Sequence, residues 1–195
     1  MTTLVIDLDR DATAARAMAS ALDPYVYQDD LYGALPGALP RLTVGGMLLR
    51  LHRLQALRAA LTPEQAGALA HAQAALQKAR ADWALHYGQK IRRELGARQD
   101  SLQWYLNDCD DNPARCAEVY PIEAEKRTII HHLLDEGAAL GVDMEDERRR
   151  QLALDGALRR HFQAGPFVWD ARVEAAYPRD VFWWLYGRPE AKRNE

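Results

Sequence analysis

The chain has 195 residues, 48% of them hydrophobic and 27% charged, with a formal net charge of -3 and a pI near 6.1. That length suits a single domain with a real core, and the missing cationic surplus argues against a dedicated nucleic-acid binder. No run approaches the roughly 18 consecutive apolar residues that a membrane span needs. Two cysteines, Cys109 and Cys116, are too few for a disulfide framework, and no basic stretch followed by an apolar run marks a secretory leader. A reducing cytoplasm is the expected setting, with both cysteines as thiols and no cofactor implied.

Residues 3–9, Thr-Leu-Val-Ile-Asp-Leu-Asp, alternate loosely and read as a short strand. Phe167-Val-Trp169 is its plausible sheet partner, in a two-stranded element that is marginal alone. A short helix over 10–22 and a Pro/Gly/Tyr loop over 24–40 follow. The stretch LVIDLDRDAT resembles the first motif of the haloacid dehalogenase superfamily, an apolar strand ending in Asp-x-Asp. That resemblance covers about ten residues and implies Asp7 as nucleophile and Asp9 as general acid–base of a phosphoryl transfer. The chain departs from the family after the second Asp, where Arg10-Asp11 replaces Gly-Thr or Gly-Val, and no strand series follows. A strand feeding an Asp-capped helix is the reading preferred here.

From Thr43 to Leu61, Val44, Met47, Leu51, Leu54 and Leu61 form one helical stripe, with Leu48 and Leu57 beside it. Arg58 takes the skipped seam position, its stem on the stripe and its head in water. Thr62-Pro63-Glu64-Gln65 then restarts the chain, with Thr62 as N-cap, Pro63 at the first helical position and Gln65 closing a capping box. The next apolar series runs Leu69, Leu76, Trp83, Tyr87, Ile91, Leu95, Leu102, Tyr105 and Cys109, with no proline before Pro113. It predicts one helix from 63 to about 107, a rod of ~67 Å, with Gly88 and Gly96 as the places for a bend. Such a helix belongs to a bundle or to an arm that holds a partner.

Pro121 opens a further predicted helix carrying Ile122, Ile129, Leu133 and Leu140, closed by Gly141 in a left-handed conformation. Asp143 caps the next, with Glu145, Asp146 and Glu147 in its first turn and Arg159, Arg160 and His161 in its last, as the helix dipole favours. The tail reads as a short aromatic helix over 177–188. The fold class is all-α: a single domain, 1–195, built as a four-main-helix bundle with one unusually long helix and the small β element at its ends.

Four patterns resemble sites. DCDDNPARCAEV, residues 108–119, starts like a helix-loop-helix calcium loop, with Asp108, Asp110 and Asn112 at positions one, three and five. Position six of such a loop needs glycine and holds Pro113; position twelve holds Val119, with Glu118 one residue early. The same residues make a good helix start, Asn112 at N-cap and Pro113 first in the helix. Arg80 to His86 and Arg127 to His132 resemble the Arg/His pair of the HEPN superfamily of helical-bundle ribonucleases, which implies action on a phosphodiester. Six His and 21 Arg in 195 residues give about two such pairs by chance. Di-iron bundles use Glu-x-x-His, and no His here has Glu three residues before it. A looser metal set is His86, His131, His132 and Glu136, with Asp82 and Asp135 on the same faces. Arg148, Arg149 and Arg150 are absorbed by the acids before them, and Arg50, Arg53, Arg92 and Arg93 are expected among acids or on outer faces.

The function expected from these features is a non-catalytic helical interaction or assembly protein, acting through a protein–protein interface as a homo-oligomer or with another protein. Phe182, Trp183, Trp184 and Tyr186 are the partner-binding candidates, because clustered Trp and Tyr anchor interfaces. Nucleic acid is disfavoured as a partner and no membrane is involved. The alternative is a helical-bundle enzyme with a His/carboxylate metal site or an Arg/His ribonuclease-like site.

Overall fold

Capping chemistry places the starts of the first three helices. In the computed structural model, which describes residues 3–191, Asp7 accepts the Arg10 N–H at 3.0 Å and opens α1, Leu8–Tyr27. Thr43 accepts the Gly46 N–H at 2.9 Å and opens α2, Val44–Ala56. The predicted capping box is formed at α3, Pro63–Asp82: Gln65 N–H donates to Thr62 and the Gln65 side chain accepts from the Thr62 N–H. The remaining helices are α4, Ala84–Asp111; α5, Pro113–Ala139; and α6, Glu145–His161. The small buried face of α1, Ala12, Ala15, Met18 and Ala19, lets it lie closely along α3, while α4 packs along α5 and α6, and α2 lies on α5. The fold is therefore all-α apart from one two-stranded ribbon. Among the described residues no helix is long and apolar enough to cross a membrane.

The long rod expected over 63–107 is two helices. They part at Trp83, φ -129° and ψ 29°, while Gly88 and Gly96 sit inside α4. The cause is tertiary. Arg80, in the last turn of α3, donates to Glu136 of α5 at 2.6 and 2.5 Å, and Tyr87, in the first turn of α4, donates to the same carboxylate at 2.9 Å. One acceptor on a third helix thus fixes both sides of the corner.

Three further boundaries differ from expectation. Helix α1 extends well past residue 22, taking Pro24 into its last turn and burying Tyr25 and Val26. Pro121 lies within α5, which already starts at Pro113; Tyr120 and Trp169 cover this stretch, the Trp169 indole donating to the Pro121 carbonyl at 3.0 Å, and Ile122 is exposed. Asn112 alone separates α4 from α5, and across this tight turn Cys109 and Cys116 are joined as a disulfide, their Cα atoms 5.2 Å apart. They are not free thiols: counting cysteines says nothing of two helix ends folded against each other. Other signals held. Gly141 closes α5 with φ 69°, and Asp143 accepts the Glu145 N–H at 3.0 Å before the acid-to-base run of α6.

The ribbon pairs β1, Phe162–Phe167, antiparallel to β2, Tyr186–Pro189. Leu4 meets Trp169 in one isolated parallel bridge, so residues 3–9 contribute a single bridge and not a strand. Nearby, Ile6 N–H donates to Asp170 at 3.3 Å and Arg172 donates to the Ile6 carbonyl at 2.7 Å. The aromatic helix expected over 177–188 does not form. Its centre is one 3-10 turn, Trp183–Leu185, leading straight into β2.

Helices α2, α4 and α5 converge at Gly45, where an added Cβ would stand 2.4 Å from Ile129 Cγ2 and 2.8 Å from Glu94 Oε1. Gly67, on α3, has no neighbour within 4 Å of that position. Gly45→Ala is expected to lower the free energy of unfolding by about 2–3 kcal/mol through overpacking. Gly67→Ala should raise it by roughly 0.5–1 kcal/mol through helix propensity. Urea unfolding of the two variants checks both signs.

Candidate functional site

The aromatic run near the C-terminus is divided by its 3-10 turn into a buried and a half-buried side. Phe182 and Trp184 face inward, 6% and 1% exposed. The Trp184 indole N–H donates to Thr128 Oγ1 at 3.0 Å, its carbonyl accepts the Tyr120 hydroxyl at 2.6 Å, and the Arg127 guanidinium lies 3.8 Å over its ring. Trp183 and Tyr186 face the other way and stay half-buried. With Phe162 they line a groove of about 390 Å³ flanked by Arg159 and Arg179. Arg159 lies 3.7 Å over the Trp183 ring and Arg179 is 5.6 Å from the Tyr186 centroid. Neither these two arginines nor Arg160 and Arg188 of the adjoining segments form an ion pair among the described residues. The result is a basic, aromatic concavity, wet on one side.

A second concavity, about 610 Å³, opens between α2, α3 and α5. His132 and Glu136 of the expected metal set both line it, as does His52, which sequence reasoning missed. The His52 and His132 rings are 4.9 Å apart, and His52 Nε2 lies 3.0 Å from the Ala176 carbonyl, which fixes that nitrogen as a donor. His132 Nε2 is buried with no partner. Glu136 is occupied by Arg80 and Tyr87. His131 turns aside, 3.3 Å from Asp135 and edge-on to Phe182, and His86 lies elsewhere, stacked on Tyr27 at 4.8 Å. Among the described residues no three His, Cys, Asp or Glu side chains group so as to hold a metal.

Beside this cleft Arg50 and Arg53, expected among acids or on outer faces, are paired with acids and withdrawn from the surface. Arg53 is 5% exposed, pairs with Glu125 at 2.8 Å and covers Trp169 at 4.7 Å. Arg50 pairs with Asp11 at 3.5 Å. Burial raises the Asp11 pKa against the pull of both arginines. Buried charges of this kind require each other, since removing one partner strands the rest.

The remaining look-alikes have structural roles. Asp7 is the α1 cap, and Asp9 accepts the Gln65 side chain at 2.7 Å, tying α1 to the start of α3; no parallel sheet stands behind them among the described residues. Residues 108–119 are the α4–α5 junction, where the Asn112 side chain donates to Asp108 at 3.0 Å in place of the expected cap bond. Arg127 is held by Asp155 at 2.7 and 2.8 Å. Both arginines of the Arg/His pairs are thus engaged by carboxylates.

Burial, reinforced by the charges of His52, His131 and Arg53, lowers the His132 pKa from 6.5 to about 3. Between these values the unfolded chain binds a proton that the folded chain refuses. His132 therefore costs nothing above pH 6.5, and stability falls progressively as the solution is acidified below it. Taking the wild type from pH 7 to pH 5 should remove about 2 kcal/mol of stability through this residue. His132→Leu should lose that share of the dependence, read from urea midpoints at the two pH values.

No family model matches the chain, and no curated protein or solved structure matches it either.

Proposed function

We propose that the chain is a non-catalytic helical interaction protein whose contact surface is the groove of Trp183, Tyr186 and Phe162 between Arg159 and Arg179. The single observation that carries the reading is two half-exposed aromatic rings beneath guanidinium groups that have no carboxylate partner among the described residues. Aromatic and arginine side chains are the anchors that most often dominate interface energy. The occupant that fits is an acidic segment of protein, from a second copy of this chain or from another protein. Phe182 and Trp184 serve that surface from behind by fixing the segment to α5. A cytoplasmic setting remains part of the proposal. The Cys109–Cys116 bond is compatible with it because both residues are buried, 2% and 1% exposed, and reductant must reach a disulfide to open it.

Arg159→Glu/Arg179→Glu reverses the sign of the groove on exposed side chains and should leave the fold intact by circular dichroism. Self-association in sedimentation velocity, or complex formation on affinity capture, is expected to weaken at least tenfold, about 1.4 kcal/mol, in this variant. A wild-type chain that stays monomeric and captures nothing, or a variant that retains every complex, ends the reading.

A further inference from the structure

A third groove, about 350 Å³, lies between the end of α1 and the start of α4, at the lower end of the size range for small-molecule sites. Its apolar wall is Val26, Tyr27, Leu85 and Val142, with Tyr27 59% and Leu85 70% exposed. The other wall carries Lys90, Arg92 and Arg93. Arg92 is satisfied by Glu147 at 3.0 Å and by the Asp143 carbonyl at 2.5 Å. Arg93 has Asp29 at 3.7 Å, an exposed and loose pairing, and Asp29 is the only carboxylate among the lining residues.

Lys90 is the anomaly. The residue is 3% exposed and makes no ion pair among the described residues; its ammonium donates to the Asp30 carbonyl and sits 4.1 Å over the Tyr25 ring. An ammonium has three N–H groups, and a carbonyl and a ring face use two of them. A buried cation without an ion pair is costly, and burial together with the nearby Arg93 charge lowers the Lys90 pKa against the opposing pull of Asp30 and Asp29, neither of which contacts the ammonium in an ion pair. Three residues along α4, Arg93 falls on the same side of the helix. The missing element is a negative charge attached to an apolar body.

We infer that this groove binds a small amphiphilic carboxylate, a medium-chain fatty acid in chemical class, with its chain on Tyr27, Leu85 and Val142 and its carboxylate between Lys90 and Arg93. This site is separate from the groove at Trp183 and stands whether or not that surface has a partner. The apolar wall alone would take any greasy molecule. The unpaired ammonium is what selects an acid.

Calorimetric titration of the full chain with decanoate, and with decanol as the uncharged match, tests the assignment. Decanoate is expected to saturate one site, with decanol at least tenfold weaker. Lys90→Met keeps the stem and drops the charge; Arg93→Gln does the same on an exposed residue that folding does not need. Each should weaken decanoate roughly tenfold or more, on the scale of one charge-assisted hydrogen bond, and leave decanol unchanged. Equal binding of acid and alcohol, no saturable decanoate binding, or decanoate affinity untouched by both substitutions would overturn the inference. So would binding seen only with anionic phospholipid vesicles, which would make the groove a membrane contact.

Discussion

A carboxylate with no exposure to water, Glu94, holds the centre of this protein together. Burying a charge is tolerable only where donors surround it. Here the Gly45 N–H at the start of α2 donates to one oxygen at 2.9 Å, and Arg98 grips the other through Nε and Nη2 at 2.7 and 2.6 Å. Arg98 also reaches Thr43 Oγ1 at 3.2 Å, so the α2 cap belongs to the same network. The positive end of the α2 dipole faces the charge. Because Gly45 carries no side chain, Ile129 and Leu133 of α5 close over the joint. This carboxylate thereby joins α2 to α4 while α5 packs over the joint, and the positions of His52, Arg53 and His132 follow from these helices.

The same device recurs farther out. Glu136 receives Arg80 and Tyr87 and sets the corner between α3 and α4. Asp155 of α6 receives Arg127 of α5, whose guanidinium in turn covers Trp184. That stack, with Thr128 and Tyr120 on the indole and its carbonyl, is what fastens the C-terminal segment to the helices. With Trp184 and Leu185 fastened inward, the three-residue period of the 3-10 turn puts Trp183 and Tyr186 together on the outer side. The basic aromatic groove is therefore a by-product of how one tryptophan is anchored.

Local chemistry was legible in the sequence. The Thr62 capping box, the left-handed Gly141 and the graded charges of α6 depend on residues within a turn of each other, and all three stand in the structure. What was not legible depends on residues far apart. Trp83 breaks a helix because Glu136 lies opposite, and Pro121 stays inside one because Trp169 and Tyr120 pack there. The cysteines pair because two helix ends meet. The tail differs for another reason: Phe182-Trp-Trp-Leu-Tyr186 is flanked by Pro178, Gly187 and Pro189, punctuation that leaves room for one 3-10 turn before β2 and not for a longer helix. At the polar cleft, His132 and Glu136 share a helical face and could be paired from spacing alone. His52 comes from α2, and nothing in its own surroundings announces that it meets His132.

The contact between Leu4 and Trp169, with Asp170 and Arg172 clasping Ile6, has a bearing on how the protein is made. These partners are separated by 164 and 166 positions along the chain. During synthesis residues 4–6 have nothing to dock on until residues 169–172 have emerged. The helices can gather earlier, through neighbours in sequence, but this seam closes only once residues 169–172 have been made.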